Sequence, residues 1–511
     1  MRPGRRVTNT RKEPQKSPVV GIISAAKNRV KRDKMTYPTG SERLDPGDNP
    51  KVNSTTSIES LITTLAPIFG DRLSTTDADR ADHAADVSHH GPHPPQAVCW
   101  PLTTDEVVSA VNACRENRVP LIPYGTGTAV EGGVVAVSGG LCLDTSRMDR
   151  ILDVQARDMD ATVQAGVTRE QLNRHLATLP DQVFFPVDPG ADASLGGMAA
   201  TSASGSNTVR YGSMRDRVLS LKAVMADGSV VRTAGRARKS VAGYDLTALL
   251  VGSEGTLAVI TEVTLRLSPI PEAISAAVCC FETIESAIDA VIDCLVDGIP
   301  LARMELLDEI QIEAVNRFSG LQNTVLPTVF FEFNGSESAV LEQSEAAGRI
   351  TTKHGGSEFR FATDDAERRR LWQARHDGYY ATLGLREGST GYVTDVCVPV
   401  TALAEAIART RHELRDCSIP APLFGHVGDG NFHVVFPILP GDAEELAEVQ
   451  SISDRIANHA LALGGTTTGE HGIGLGKRHL LEREHETGVA VMRSIKQALD
   501  PLGILNPGKV L

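Results

Sequence analysis

The chain lacks several features that would have set its class at once. Its 511 residues hold no run of about 18 apolar residues, so no membrane-spanning helix is expected. The eight cysteines (Cys99, Cys114, Cys142, Cys279, Cys280, Cys294, Cys397, Cys417) contain no C-x-x-C pair. That argues against an iron–sulfur cluster or a four-cysteine zinc site. They are also too scattered for a secreted disulfide framework, which favours a reducing compartment. No internal repeat occurs, and no secretory leader with an apolar core of roughly 7–15 residues; "VVGIISAA" at 19–26 is too short and sits inside basic flanks. Complete phosphate loops are missing too. "GTGTAV" (125–130) starts like G-x-G-x-x-G but places Val130 sixth, which undercuts a dinucleotide-binding Rossmann motif. "GILNPGKV" (503–510) follows a Walker A loop until Val510 replaces the Ser or Thr, and one residue remains, too few for the helix such a loop needs.

What is present reads as a large soluble protein. A chain of this length should divide into two or three domains, and 41% hydrophobic with 23% charged residues is an ordinary globular balance. Charge is uneven. Residues 1–34 hold eleven Lys or Arg against Glu13 and Asp33, a local +9; with −13 for the whole chain, the remainder carries −22. An acidic body is a poor nucleic-acid surface. The basic head reads as a disordered tail, while a transit peptide, a membrane-surface arm or an over-long start before Met35 fit its composition as well.

Along the chain, "SIESLITTLAPIFG" predicts a helix ended by Gly70, and "TTDEVVSAVNACRENRV" predicts another. Strand signals in "PLIPYG", "GGLCLD" and "ATVQAGV" alternate with helices, an α/β pattern. Residues 186–215 hold mostly Gly, Ala, Ser and Thr. Small residues between good strand and helix signals favour a ligand cradle over a linker, because they let the backbone approach a ligand and offer it N–H groups. "VLSLKAVMADGSVVRT" predicts a hairpin at Asp227-Gly228. After Pro269 and Pro271 the pattern changes to strands ("SAAVCCF", "TVFFEF") mixed with helices ("ESAIDAVIDCLVDG", "DEIQIEAVNRF", "AERRRLWQARHDGYYATL"). The last ninety residues carry "GHVGDGNFH" (425–433), "GEHGIG" (469–474) and two helical stretches, "SDRIANHALALGG" and "HETGVAVMRSIKQALD".

Three stretches, "PLIPYGTGTAVEGG" (120–133), "DPGADASLGGMAATSASGSNTVRYG" (188–212) and "VGSEGTLAVITEVTL" (251–265), resemble the FAD-contacting segments of vanillyl-alcohol-oxidase-type flavoproteins. The resemblance runs from about residue 60 to 511 and includes "NPGK". It is strongest to the branch of FAD-linked 2-hydroxy-acid dehydrogenases, which holds cytochrome-type D-lactate dehydrogenases, glycolate oxidase FAD subunits and D-2-hydroxyglutarate dehydrogenases. It implies an α+β protein: a basic tail (1–54), a two-part α/β FAD-binding domain of the PCMH type (55–271), an α+β cap with an antiparallel sheet (272–422), and a C-terminal helical segment returning to the FAD domain (423–511).

The resemblance also implies residue roles. Pro123, Tyr124, Gly125, Thr126, Gly127 and Thr128 would form the pyrophosphate loop, which fits its lack of Lys and Arg. Asp188, Pro189, Gly190, Ala193, Ser194, Gly196, Gly197, Thr201, Gly205 and Asn207 would line the ribityl chain and isoalloxazine. Gly255 and Ile260 would sit near the adenine or ring edge, with Asn506 also on the cofactor side. Residues 124–135 contain no His or Cys, so FAD is expected to be non-covalent.

His426, His433 and Glu470 would bind zinc or manganese; two imidazoles and a carboxylate leave open positions, the pattern of a catalytic centre. A turn between histidines seven apart can bring both rings to one ion. His471 would be the general base and Arg375 the grip on a substrate carboxylate, with Asn431 on the substrate and Glu332 as a supporting or fourth ligand. The remaining histidines, including His89, His90 and His93, read as surface or tail residues. The D-2-hydroxyglutarate enzymes carry a Lys before a D-x-x-x-P stretch; here "GYVTDVCVP" places Thr394 beside Asp395 and no Lys, which favours a small monoacid. The expected activity is oxidation of a small D-2-hydroxy acid, D-lactate first; the alternatives are the FAD subunit of a glycolate oxidase or a D-2-hydroxyglutarate dehydrogenase, and, last, a non-enzymatic flavin-fold binding subunit. Electrons would pass to a quinone, cytochrome or electron-transfer protein. The expected compartment is cytoplasmic or membrane-peripheral, mitochondrial in a eukaryote.

Overall fold

A computed structural model describes residues 55–511. The basic tail expected at 1–54 lies outside them. The described residues begin with the helix Thr55–Phe69, stopped by Gly70 in the left-handed region (φ 55), as its sequence predicts. The helix Thr104–Asn117 starts on Thr103, whose hydroxyl accepts from Glu106 N, and buries Val107, Ala110, Val111 and Cys114 on one face.

Three larger sheets organise the rest, beside a two-stranded one that pairs Val183–Phe184 with Ser268–Pro269. In the first, Ala97–Cys99, Leu141–Asp144 and Leu121–Tyr124 run parallel, with Leu73–Ser74 antiparallel at one edge. The second is antiparallel throughout: Ile151–Gln155, Asp160–Gln164, Ala258–Arg266, Val218–Met225 and Val230–Arg232, in that spatial order. Its hairpin turns at Asp227-Gly228, where Gly228 has φ 83. Parallel pairing is therefore confined to the first sheet, because an alternating pattern fixes which face a strand buries but not which strand it pairs with.

The third sheet is also antiparallel. Ser357–Ala362, Ala273–Cys280, Thr328–Gly335, Arg303–Leu307, Leu423–Gly425, Asn431–Ile438 and Thr390–Val393 lie in order, with Val396–Cys397 added beside Asn431–Ile438. Both its faces are covered. Phe331 and Phe333 pack in the core that includes Ile288, Val291, Ile407 and Ile456, whereas Phe330 points the other way onto Trp372, Ile312 and Val315. This double burial explains why "TVFFEF" reads as an unbroken apolar run. The "AERRRLWQARHDGYYATL" stretch forms two helices, Asp365–His376 and Gly378–Leu383, separated at Asp377. The final helical stretch is likewise preceded by a separate helix, Arg478–His485, broken from Thr487–Leu499 at Glu486 (φ 37).

The C-terminus returns to the first sheet. Leu121 N donates to Ile504 O, Asn506 N donates to Leu121 O, and Lys509 Nζ donates to Val135 O. Among the described residues, no helix is long and apolar enough to cross a membrane.

Candidate active site

A cavity of about 960 Å³ is lined by residues from each of these three sheets and from the loops between them. Residues 123–128, Asp188, Pro189, Gly190, Ala193, Ser194, Gly196, Gly197, Thr201, Gly205, Asn207, Gly255 and Ile260 line it, and so do Arg375, His426, His433, Glu470 and His471. Its size suits a large organic cofactor. The small residues of 188–207 are not a linker: they include the helix Leu195–Thr201, begun by the Ser194 hydroxyl accepting from Gly197 N. Two glycines cannot be replaced without filling the cradle. A Cβ on Gly127 (φ 67) would lie 2.2 Å from the Tyr124 hydroxyl, and one on Gly205 would lie 2.2 Å from Asp188 O. A loop without Lys or Arg, lined by small residues, fits the diphosphate and flat rings of FAD held by backbone groups.

Three expected residues, Asn431, Asn506 and Glu332, lie outside the cavity wall. Asn431 is buried; its Nδ2 donates to Asp395 Oδ1 (2.8 Å) and Val396 O (2.9 Å), so its amide is turned into the protein and not towards substrate. Asn506 is buried as well and ties two loops together, donating from Nδ2 to Gly133 O (2.9 Å) and Glu254 O (2.7 Å). Glu332 pairs with Arg303 at 3.6 Å, and Arg303 also donates to Asn207 Oδ1 (2.8 Å) and faces Asp188 (3.2 Å). Burial pushes the Asp188 carboxyl up to about 6 despite Arg303. His89 and His90 are half-buried, not surface residues, and His89 packs its ring 4.5 Å from Tyr392. His83 is buried and bonds Asp144.

The two histidines of GHVGDGNFH come together through a hairpin. Leu423–Gly425 pairs with Asn431–Ile438, with Phe424 opposite His433. Asp429 N and Asn431 N both donate to His426 O, and Gly430 turns at φ 80, so the rings of His426 and His433 end 5.6 Å apart. The loop carrying Glu470 and His471 is placed by Thr466 N donating to Cys397 O.

Glu470 Oε1 then lies 3.3 Å from His426 Nε2, 3.2 Å from His433 Nε2 and 3.8 Å from His471 Nε2. Ligands about 2.1 Å from one cation, at tetrahedral or octahedral angles, stand roughly 3.0–3.4 Å from each other. The tautomers agree. His433 Nδ1 donates to Thr394 O (3.1 Å) and His426 Nδ1 donates to Glu305 Oε1 (2.6 Å), leaving each Nε2 turned to Glu470. Lone pairs facing a carboxylate at that range need a proton or a cation between them, so the donor set fits a divalent ion. Asp395, His433, Glu470 and His471 also offer ligand atoms within 4.8 Å of one another. Asp395 is the less available donor, because its oxygens already accept from Asn431 Nδ2, Thr468 Oγ1, Glu470 N and His471 N.

Charge is arranged around this centre. Burial alone would raise Glu305, but His426 and Arg375 hold it down at about 2. Burial would likewise raise Asp395, yet His471, Lys477 and His433 hold it well below the usual carboxylate range. Burial pushes the His471 imidazole down to about 4 against the pull of Asp395. The His471 Nδ1 atom is buried without a partner among the described residues. Arg375, in the last turn of its helix, gives its Nε to Glu305 Oε2 (2.7 Å) and lies over the Phe424 ring. Sequence reasoning missed Glu305, Glu254, Lys477 and Ser204, and saw Asp395 only as a neighbour of Thr394. An acid inside the apolar strand run "RMELL" was the available signal for Glu305; Lys477 and Ser204 carry none.

Comparison with known proteins agrees with this architecture. Residues 95–234 match the FAD binding domain family and residues 270–510 match the C-terminal domain of FAD linked oxidases. The chain is 48% identical to a probable mitochondrial D-lactate dehydrogenase of Danio rerio over 89% of its length and 93% of the relative's. It is 43% identical to the mitochondrial D-lactate dehydrogenase [cytochrome] of Arabidopsis thaliana, covering 89% of this chain and 80% of that one. The solved 4-ethylphenol oxidase of Gulosibacter chungangensis superposes with a TM-score of 0.72 at 17% identity, over 89% of this chain and 97% of that structure, and shares the fold. The chain is a member of the FAD-linked oxidase family of vanillyl-alcohol-oxidase-type flavoproteins, on the branch that holds the D-lactate dehydrogenases.

Proposed function

We propose that this protein oxidises D-lactate to pyruvate with bound FAD and a divalent cation, and passes the electrons to a cytochrome. The observation that carries the reading is the convergence of His426, His433, Glu470 and His471 in the wall of the cofactor cavity that Arg375 also lines. The printed names of the relatives support the substrate and the acceptor.

Arg375 is held at Nε by Glu305, which leaves its terminal nitrogens to bind the substrate carboxylate in a two-point contact. That contact fixes the Cα–H direction. His426, His433 and Glu470 would hold the cation, which supplies Lewis acidity to a bound hydroxyl. His471 turns Nδ1 towards Asp395 (3.9 Å) and its burial disfavours the charged imidazole, which leaves Nε2 to take the hydroxyl proton. FAD in this cavity supplies the acceptor for the Cα hydride, so that the substrate gives up one hydride and one proton to become the 2-oxo acid. Phe424, Val393 and Val435 form an apolar wall that excludes water from the reacting carbon.

The visible spectrum of the purified protein, kept anaerobic, tests this. Flavin absorbance near about 450 nm should bleach with D-lactate, stay with L-lactate, and cease to respond after chelation while the flavin remains bound. A yellow protein that ignores D-lactate overturns the substrate. One that bleaches equally after exhaustive chelation overturns the cation.

A further inference from the structure

The segment that would carry the cation ligand and the base, residues 469–474, is held from two sides: Asp395 accepts from Glu470 N and His471 N, and the cofactor cradle supplies further contacts. Ser204, in the small-residue stretch, donates from Oγ to Glu470 Oε2 at 3.0 Å, while Oε1 of the same carboxylate faces the histidines. Glu254 accepts from Ile473 N (2.7 Å) and Gly474 N (2.8 Å) with its two oxygens. Glu254 is also a non-glycine residue in the left-handed region (φ 51), where an L side chain carries strain. It is pinned there by its own N donating to Ala200 O, in the helix Leu195–Thr201, and by its O accepting from Asn506. A third strut is Lys477, 2.9 Å from Glu131 and 3.7 Å from Asp395. Ser204, Glu254 and Glu131 all line the cavity.

We propose that Ser204 and Glu254 are positioning residues through which FAD binding and divalent-cation binding assist each other. The inference rests on the FAD and cation reading given above and goes beyond it. Ligands packed against the 193–207 and 254–255 segments restrict the groups that aim Glu470 Oε1 at His426 and His433. A cation drawn to Glu470 in turn restricts Ser204 and its segment. Coupling of this kind is reciprocal: each ligand must tighten the other by the same factor. Ser204 is the sharper probe, since its hydroxyl reaches Glu470 directly and its truncation removes no charge.

The test uses holoenzyme only, with Mn(II) as the probe. Mn(II) affinity is read from the free-ion electron paramagnetic resonance signal. FAD affinity is read from flavin fluorescence on diluting the holoenzyme, with Mn(II) or with a chelator. Wild type should bind Mn(II), and chelation should weaken FAD binding by about 10-fold, within the usual range of coupling factors. Ser204→Ala should lose roughly 10–100-fold in Mn(II) affinity, the scale for a group supporting a metal ligand, with flavin content and Tm unchanged. In Ser204→Ala, chelation should no longer alter FAD affinity. Ser204→Thr, which keeps the hydroxyl, should restore both readouts; a purely structural role would not follow the hydroxyl in this way. Equal Mn(II) affinity in wild type and Ser204→Ala, or FAD affinity indifferent to chelation in wild type, overturns the inference while leaving the cation reading in place. Wild type that binds no Mn(II) overturns the cation reading and this inference with it.

Discussion

Glu305 has no exposed side-chain surface and two donors on its carboxylate, Arg375 Nε on Oε2 and His426 Nδ1 on Oε1. It joins the substrate grip to the cation site, so neither can move without the other. The planar Arg375 fork is what allows one nitrogen to be committed to Glu305 while the others remain for substrate; a lysine has one compact charge and cannot divide it. Arg375→Lys should therefore lower kcat/KM for D-lactate by about 10–150-fold, the equivalent of one charge-assisted hydrogen bond of roughly 1.5–3 kcal/mol. Steady-state kinetics with flavin occupancy as the control checks it, and an unchanged kcat/KM removes Arg375 from the substrate. The resemblance singled out Arg375 and the histidines because they stand in short motifs that match the family, and the structure places them in one cavity wall. Asn431 was misplaced for the same reason. Its neighbours made it look like part of the site, but only the hairpin geometry shows its amide spent on Asp395.

At the scale of elements, Asp308 joins three of them. It ends the strand Arg303–Leu307, caps the helix Glu309–Ser319 by accepting from Gln311 N (2.8 Å), and accepts from Leu423 N (3.0 Å) just before the histidine hairpin. Asp308→Ala should cost about 2 kcal/mol, a helix cap plus one buried donor left unmet. Burial pushes its carboxyl up to about 7 in the folded protein. The unfolded chain ionises near about 3.9, so its contribution is fully present below that pH and is lost as pH rises through 7. Asp308→Asn should flatten this part of the profile: Tm measured from pH 4.5 to 8 should fall more steeply with rising pH in wild type than in the variant, about 1 unit of pH being enough to see the divergence begin. Parallel curves would refute the assignment. The cap itself was readable, as Asp before an amphipathic run. Its second bond to a strand more than a hundred residues later was not.

For the whole molecule, the closing contact is Asn506. It sits in the left-handed region (φ 42), bridges Gly133 O and Glu254 O, and gives its backbone N–H to Leu121 O. The chain thus returns at its end to the strand that leads into the cofactor loop. Asn506→Ala should lower stability by about 1–3 kcal/mol by leaving two buried carbonyls without a donor, and should loosen FAD because Gly133 and Glu254 flank the cradle. Thermal melting together with flavin release checks both; a loss of stability with flavin retention unchanged would show that Asn506 serves the fold alone.

Through its resemblance to a known family the sequence by itself implied the fold class and the cofactor, and it pointed to His426, His433, Glu470 and His471, which the structure brings together. Local composition encodes backbone freedom and hydrogen-bonding type, and a loop that holds a diphosphate without cations must be small and glycine-rich wherever it lies. It also showed some helix ends, as at Gly70, since caps act within a few residues, but not the break at Asp377 or the start of the helix Ala443–Ala462. Only the tertiary structure decided which strands pair, that Asp395 is a buried hub and not a bystander, that Glu305 links Arg375 to His426, and that Ser204 and Glu254 reach from the cofactor cradle to the 469–474 segment. These contacts join residues dozens to hundreds of positions apart. A single buried carboxylate or hydroxyl acquires its role from the groups that surround it in space, and sequence spacing does not record those neighbours.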